Sequence, residues 1–128
     1  MIKLFLISFL STFLMVRLLT HLFDGPDVSK PKTPTEFLRK RTGRNIHHIH
    51  IGFAILILAG ILIFASEAER TTTVLFGMGL SLIADQIFLL FFFKDTCYFS
   101  KKSIALALIA HTIVLLIAFA LYFLGFID

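Results

Sequence analysis

The stretch that decides the fold is residues 104–126, IALALIAHTIVLLIAFALYFLGF, which contains no charged residue. A helix of this length spans roughly 30 Å, the thickness of the hydrocarbon core of a bilayer. Residues 4–23, 46–65 and 74–93 are three more apolar blocks of similar length. Backbone polar groups in lipid must be satisfied within each segment, so every block is predicted to be a helix. We therefore expect an all-α membrane protein, a four-helix transmembrane bundle that occupies residues 1–128 as a single domain.

The composition of the chain supports lipid as its surroundings. Of 128 residues, 58% are hydrophobic and 16% are charged. In soluble domains about a quarter of the residues are usually charged. A soluble domain of this size buries only about two-thirds of the surface that its unfolded chain exposes. The composition thus excludes an ordinary soluble globule, and it excludes intrinsic disorder, which needs low hydrophobicity. The single cysteine, Cys97, excludes an internal disulfide and a cysteine-based zinc cluster.

The basic residues lie between the apolar blocks, so they indicate membrane topology rather than nucleic-acid binding. The chain has twelve Lys and Arg against eight Asp and Glu, a net charge of +4. Because basic connections stay inside, the first and third connections are expected in the cytoplasm, with both termini outside the cell (inner) membrane. Those two connections hold nine of the basic residues: Lys30, Lys32, Arg39, Lys40, Arg41, Arg44, Lys94, Lys101 and Lys102.

The first connection carries a helix-start signal. Thr33-Pro34-Thr35-Glu36 reads as a capping box with proline at the first helical position, which predicts a short interfacial helix over about 34–42. Its apolar and basic residues favour attraction to anionic membrane lipid. A second interpretation is a clamp for the anionic head group of a substrate.

Polar residues within the predicted spans fall in the cytoplasmic half. Arg17 lies roughly 9 Å from the cytoplasmic end of the first helix, and Asp85 and His111 lie roughly 10–12 Å from that side. Gly77, Ser81 and Asp85 recur every four residues on a small-residue face, which in membranes is typical of close helix contact.

Helical phase also directs His111 and His48 toward neighbouring helices. His47 and His50 are spaced i, i+3 on another face of the second helix, so they form a pair able to hold one ligand. An ionisable residue within a membrane span suggests function by default.

Several functions fit these residues. A bundle commonly builds metal sites from facing helices, and imidazole with carboxylate favours zinc or iron. The candidate metal ligands are His47, His48, His50, Asp85 and His111. An open coordination position on the metal would activate water, so a membrane-embedded metalloenzyme is a further possible function. The candidate ligand-binding residues, which would hold an anionic, lipid-like molecule, are Arg17, Gln86 and Arg44.

Three alternatives remain. Arg17 and Asp85 have opposite charges at similar depth, so they could form a purely structural ion pair, with His111 hydrogen-bonded to the same carboxylate. The second alternative is a channel, a transporter or a proton relay. Because the outer half of the predicted spans is apolar, a continuous pore would require a homo-oligomer. The third is lipid or partner binding without chemistry. The favoured function is binding of a metal ion or an anionic ligand in the cytoplasmic half.

Three motifs together resemble a group of small uncharacterised prokaryotic integral membrane proteins. They are His47-His48-Ile49-His50-Ile51-Gly52, residues 77–86 (GMGLSLIADQ), and Tyr98-Phe99-Ser100. The resemblance covers roughly residues 40–105 and implies that His47, His48 and Asp85 belong to one recurrent site. The chain departs from the pattern at Gln86, where the family has Glu, and at Phe99, where Trp is usual. If the paired acids of the family are metal ligands, Asp85 is the single carboxylate left here.

Overall fold

The computed structural model describes residues 1–23, 48–65, 69–92 and 101–126, all of them in or next to helices. These residues contain four helices, in chain order α1 (Ile2–Phe23), α2 (His48–Ala65), α3 (Glu69–Phe92) and α4 (Lys101–Phe123). This confirms that the described part of the chain is all-helical and has four helices. Two of them, through the segments Ile2–Leu19 and Ser103–Phe123, are long and apolar enough to cross a membrane, while the apolar part of α2, His48–Phe64, is shorter.

The start of α3 and the end of α4 differ from the sequence prediction for clear physical reasons. Helix α3 begins at Glu69 rather than near residue 74, so Glu69 and Arg70 belong to its first turn instead of to a loop. The negative charge of Glu69 is favourable there because the helix dipole is positive at its N-terminus. The Thr73 hydroxyl donates a 2.7 Å hydrogen bond to the Glu69 carbonyl within the same turn.

Helix α4 ends at Phe123, three residues before the predicted end of the apolar block. The Phe126 N–H donates to the Leu121 carbonyl at 2.9 Å, and the Gly125 N–H donates to the Tyr122 carbonyl at 3.0 Å. This pair of bonds is the Schellman motif, which requires a left-handed residue that glycine adopts without a Cβ penalty. Gly125 has a φ of 76°. The predicted interfacial helix over 34–42 lies outside the described residues.

Helix α3 is the centre of the bundle, since it packs against α1, α2 and α4, whereas α1 and α4 share only a small contact. Its segment 81–86 is buried throughout. The other three helices carry most of the exposed large apolar side chains, including Leu14, Ile57 and Leu116, each about two-thirds exposed. The described chain therefore places polar side chains at its centre and apolar side chains on its outer surface.

Consecutive helices run in opposite directions. Gly77 of α3 lies against Ser8 of α1, and Asp85 lies against Arg17 further along both helices, so α1 and α3 are parallel. We call the end where α1 and α3 finish, and where α2 and α4 begin, the basic end, because segments 24–47 and 93–100 carry seven of the twelve basic residues and Lys101 and Lys102 begin α4. The other end is called the opposite end.

Glycines let α2 approach α3 closely. A Cβ on Gly52 would lie 2.8 Å from the Gly79 carbonyl oxygen, and a Cβ on Gly79 would lie 3.0 Å from the Gly52 carbonyl oxygen. A Cβ at either position would therefore force a neighbouring group to shift. The small-residue face predicted on α3, with Gly77, Ser81 and Asp85, is thus a helix contact face on which Gly77 meets α1. Gly79, about half a turn away around the helix, meets α2.

Candidate functional site

The centre of the candidate site is an ion pair between α1 and α3. The Arg17 Nε donates a 2.8 Å hydrogen bond to Asp85 Oδ1, and Arg17 Nη2 lies 2.7 Å from the same oxygen. The Asp85 side chain is 1% exposed and that of Arg17 is 15% exposed. A charge removed from water is tolerated when a partner of opposite charge lies at hydrogen-bond distance. The pair therefore ties the last part of α1 to α3 near the basic end.

His111 of α4 belongs to a second polar contact, with Ser81 of α3. Its Nδ1 lies 2.7 Å from the Ala107 carbonyl oxygen, which can only accept, so Nδ1 carries the proton. In the neutral ring Nε2 then accepts from the Ser81 hydroxyl, 3.3 Å away. The expectation that His111 bonds the Asp85 carboxylate is wrong, because both ring nitrogens have these other partners within the bundle.

Aromatic side chains of α1 enclose His111 and connect it to the ion pair. The ring centroids of Phe9 and Phe13 lie 5.0 Å and 4.2 Å from that of His111. The Arg17 guanidinium carbon lies 5.8 Å from the centroid of the Phe13 ring, within the distance of a cation–π contact. Phe13 thus touches both polar contacts. Sequence reasoning missed Phe9 and Phe13; their signal was an i, i+4 aromatic spacing on α1.

Gln86 fixes the beginning of α2. Its Oε1 accepts a 3.3 Å hydrogen bond from the backbone N–H of Ile49, one of the first N–H groups of α2, which have no partner inside the helix. Gln86 is 8% exposed. An amide suits this position because its oxygen accepts from the backbone without adding a second negative charge beside Asp85. Gln86 was predicted to bind a ligand, and the described contact is structural.

Of the histidines predicted to bind a metal, the structure describes His48, His50 and His111. His48 is half-buried beside the buried Ile49, whereas His50 is exposed. His47 and Arg44 lie outside the described residues. Among the residues in the described ranges, no group of three or more His, Cys, Asp or Glu side chains is close enough to hold a metal ion.

Comparison of the chain with models of known protein families, with curated proteins and with solved structures finds no match. The resemblance to small prokaryotic membrane proteins therefore stays a prediction, and the functional inference depends on the geometry.

Proposed function

We propose that the chain is a four-helix transmembrane protein that binds an anionic, lipid-like ligand through Arg17 at its basic end. The outer surface of the described helices supports the membrane location. Soluble monomers rarely expose contiguous apolar patches beyond a few hundred Å², whereas here large apolar side chains are exposed along α1, α2 and α4. Lipid is the surrounding in which such a surface is stable.

The direction of the helices and the charge of the connections support the orientation. Alternating helices put both long basic connections at one end, so that end faces the cytoplasm and both termini lie outside. Arg17 then lies in the inner half of the membrane, about one and a half turns from the cytoplasmic end of α1. Anionic lipid of the cytoplasmic leaflet attracts basic segments next to a span.

The partial exposure of the Arg17 side chain carries the proposal. Its guanidinium is held in place by the buried Asp85 carboxylate through Nε and Nη2, and Nη2 is itself buried, whereas 15% of the side chain as a whole is exposed. Arginine has five N–H donors in a planar fork that matches phosphate and carboxylate oxygens. The donors of the fork that do not face Asp85 are the ones proposed to contact the anionic head of a lipid from the cytoplasmic leaflet.

Lipid retention in nanodiscs tests this function. Native mass spectrometry of the protein with phosphatidylglycerol or phosphatidylcholine measures how many lipids stay bound. We expect preferential retention of phosphatidylglycerol by the native chain. The double variant Arg17→Gln/Asp85→Asn should lose that preference, because it removes the cation without leaving a buried carboxylate behind. Arg70→Gln is the matched control, since it removes one exposed cation at the opposite end.

Arg17→Lys separates charge from geometry. It keeps the positive charge but lacks the planar fork, so retention of phosphatidylglycerol should fall between that of the native chain and that of the double variant. Equal retention by the native chain and a correctly folded double variant would refute the proposed function. Helical content by circular dichroism establishes that the variants are folded.

A further inference from the structure

Phe13 is the aromatic side chain of α1 that lies next to the ion pair. It is half-buried and precedes Arg17 by four residues, the spacing that puts two side chains on one face of a helix. The Arg17 guanidinium carbon lies over the Phe13 ring, 5.8 Å from its centroid. An aromatic face carries partial negative charge, so it attracts a cation placed over it within about 6 Å. Phe13 is therefore an electrostatic partner of Arg17 in addition to Asp85.

The contact with Asp85 holds the guanidinium by one edge. Nε and Nη2 of Arg17, which lie along that edge, both meet Asp85 Oδ1, at 2.8 Å and 2.7 Å. Two contacts that converge on one oxygen fix the distance between the groups better than they fix the tilt of the guanidinium plane about that oxygen. The Phe13 ring restricts this tilt, because it lies against the face of the planar group rather than against its edge.

The Phe13 ring is itself supported from α4. Its centroid lies 4.2 Å from that of the His111 ring, with 45° between the two planes. The His111 ring is held at both nitrogens, Nδ1 by the Ala107 carbonyl and Nε2 by the Ser81 hydroxyl. A buried ring held at two points cannot turn without breaking a hydrogen bond. Phe13 thus packs against a rigid neighbour, and α4 thereby contributes to the orientation of the Arg17 guanidinium.

We infer that Phe13 is a positioning residue of the proposed anion site. It holds the plane of the Arg17 guanidinium in the orientation in which the fork meets the phosphate oxygens of an anionic lipid. In this role Phe13 acts through Arg17 rather than by touching the lipid. The inference rests on the proposed function, since it concerns the same site. Loss of the ring should therefore lower the selectivity for anionic lipid while the positive charge stays.

Substitutions of the two rings that contact His111 test this role. The measured quantity is the retention ratio, the amount of phosphatidylglycerol relative to phosphatidylcholine that the protein retains in nanodiscs. Phe13→Leu removes the aromatic face and should lower the retention ratio about two- to fivefold, whereas Phe13→Tyr keeps the ring and should retain the native value. Phe9→Leu is the matched control, because Phe9 also packs against His111 but lies about 12 Å from Arg17 along the helix axis; it should leave the ratio unchanged.

Fluorination of the ring separates electrostatic attraction from packing. Trifluorinated phenylalanine at position 13, introduced by amber suppression, has nearly the shape of phenylalanine but a less negative face. The retention ratio should fall to a value between those of the native chain and Phe13→Leu, with helical content unchanged by circular dichroism. In the Arg17→Gln/Asp85→Asn background neither change at position 13 should lower the ratio further, because no guanidinium is left to position. A purely structural role of Phe13 would not depend on Arg17 in this way.

Three results would overturn the inference in a native chain that prefers phosphatidylglycerol: an unchanged ratio in a folded Phe13→Leu variant, an equal loss in Phe9→Leu, or no effect of fluorination. The fluorinated chain decides the question if Phe13→Leu does not fold. The proposed function survives each of these results, because the native preference and its dependence on Arg17 remain. Absence of any preference in the native chain would overturn both.

Discussion

Removal of either charge of the Arg17–Asp85 pair should destabilise the protein, and the two effects should be unequal. Arg17→Gln leaves the Asp85 carboxylate without its cation at a position that is 1% exposed. Truncating one partner of a buried pair costs about 3–5 kcal/mol. We expect Arg17→Gln to lower the free energy of unfolding by about 3–4 kcal/mol.

Asp85→Asn should cost less, about 1–2 kcal/mol, for a structural reason. It leaves a cation that is 15% exposed, and the flexible stem of arginine lets the guanidinium reach toward the aqueous boundary. The Asn oxygen can also still accept a hydrogen bond. The double variant Arg17→Gln/Asp85→Asn leaves neither charge, and we expect it to cost about 2–3 kcal/mol.

A double-mutant cycle measures the interaction itself. The two single effects sum to about 5 kcal/mol and the double variant costs about 2.5 kcal/mol, so the cycle should give a coupling energy of about 2.5 kcal/mol. That value is below the ~4 kcal/mol of two charges 4 Å apart at an effective dielectric constant of 20. It is above the ~1.7 kcal/mol that is the largest coupling for polar pairs between transmembrane helices, because both members of this pair are charged.

Reversible unfolding in mixed micelles, or steric trapping in bicelles, measures these free energies. Arg70→Gln, an exposed change at the opposite end, should stay within about 0.5 kcal/mol of the native chain. Strict additivity of the two single variants would refute the ion pair as a stabilising contact. If Asp85→Asn lowers the free energy of unfolding as much as Arg17→Gln does, or more, the argument from the unequal burial of the two side chains is refuted.

Three further predictions follow from the described contacts and the sequence. Gly52→Ala should lower the free energy of unfolding by about 1–3 kcal/mol, because its Cβ would lie 2.8 Å from a backbone oxygen of α3; Gly60→Ala, which meets nothing within 4 Å, should be neutral or stabilising by up to about 1 kcal/mol. A membrane-impermeant maleimide should label Cys97, the single cysteine, only after the cells are permeabilised; labelling of intact spheroplasts would contradict the proposed orientation. If zinc or iron binds at the start of α2, metal analysis should find one equivalent per chain that His48→Ala abolishes and that the exposed His50→Ala leaves; no stoichiometric metal would exclude this cofactor.

The helices and the polar layer could be predicted because both follow from hydropathy and periodicity. Four apolar blocks predicted four helices, and the rise per residue predicted that Arg17 and Asp85 lie at the same depth in the membrane. Their phase on α1 and α3 then decided that they meet. The boundaries were harder to predict. Because Glu69 is polar, hydropathy placed the start of α3 too late in the chain, near residue 74, whereas the helix begins at Glu69.

The partners of individual side chains could not be predicted from depth alone. His111 and Asp85 lie at similar depth, yet His111 bonds Ser81 and the Ala107 carbonyl, because the Phe9 and Phe13 rings occupy the space around it. Depth is a single coordinate, and the choice of partner also depends on rotation about each helix axis and on the volume of neighbouring side chains.

The same dependence on neighbouring side chains makes the two ends of the bundle pack differently. At the basic end, polar side chains fill the space between α1 and α3, and the ion pair and the Gln86 contact hold three helices together. At the opposite end the contacts are apolar and less specific in direction, and the four helices leave a cavity there. Dispersion contacts weaken steeply once a gap opens, so the apolar contacts at the opposite end hold the helices less tightly than the polar contacts at the basic end.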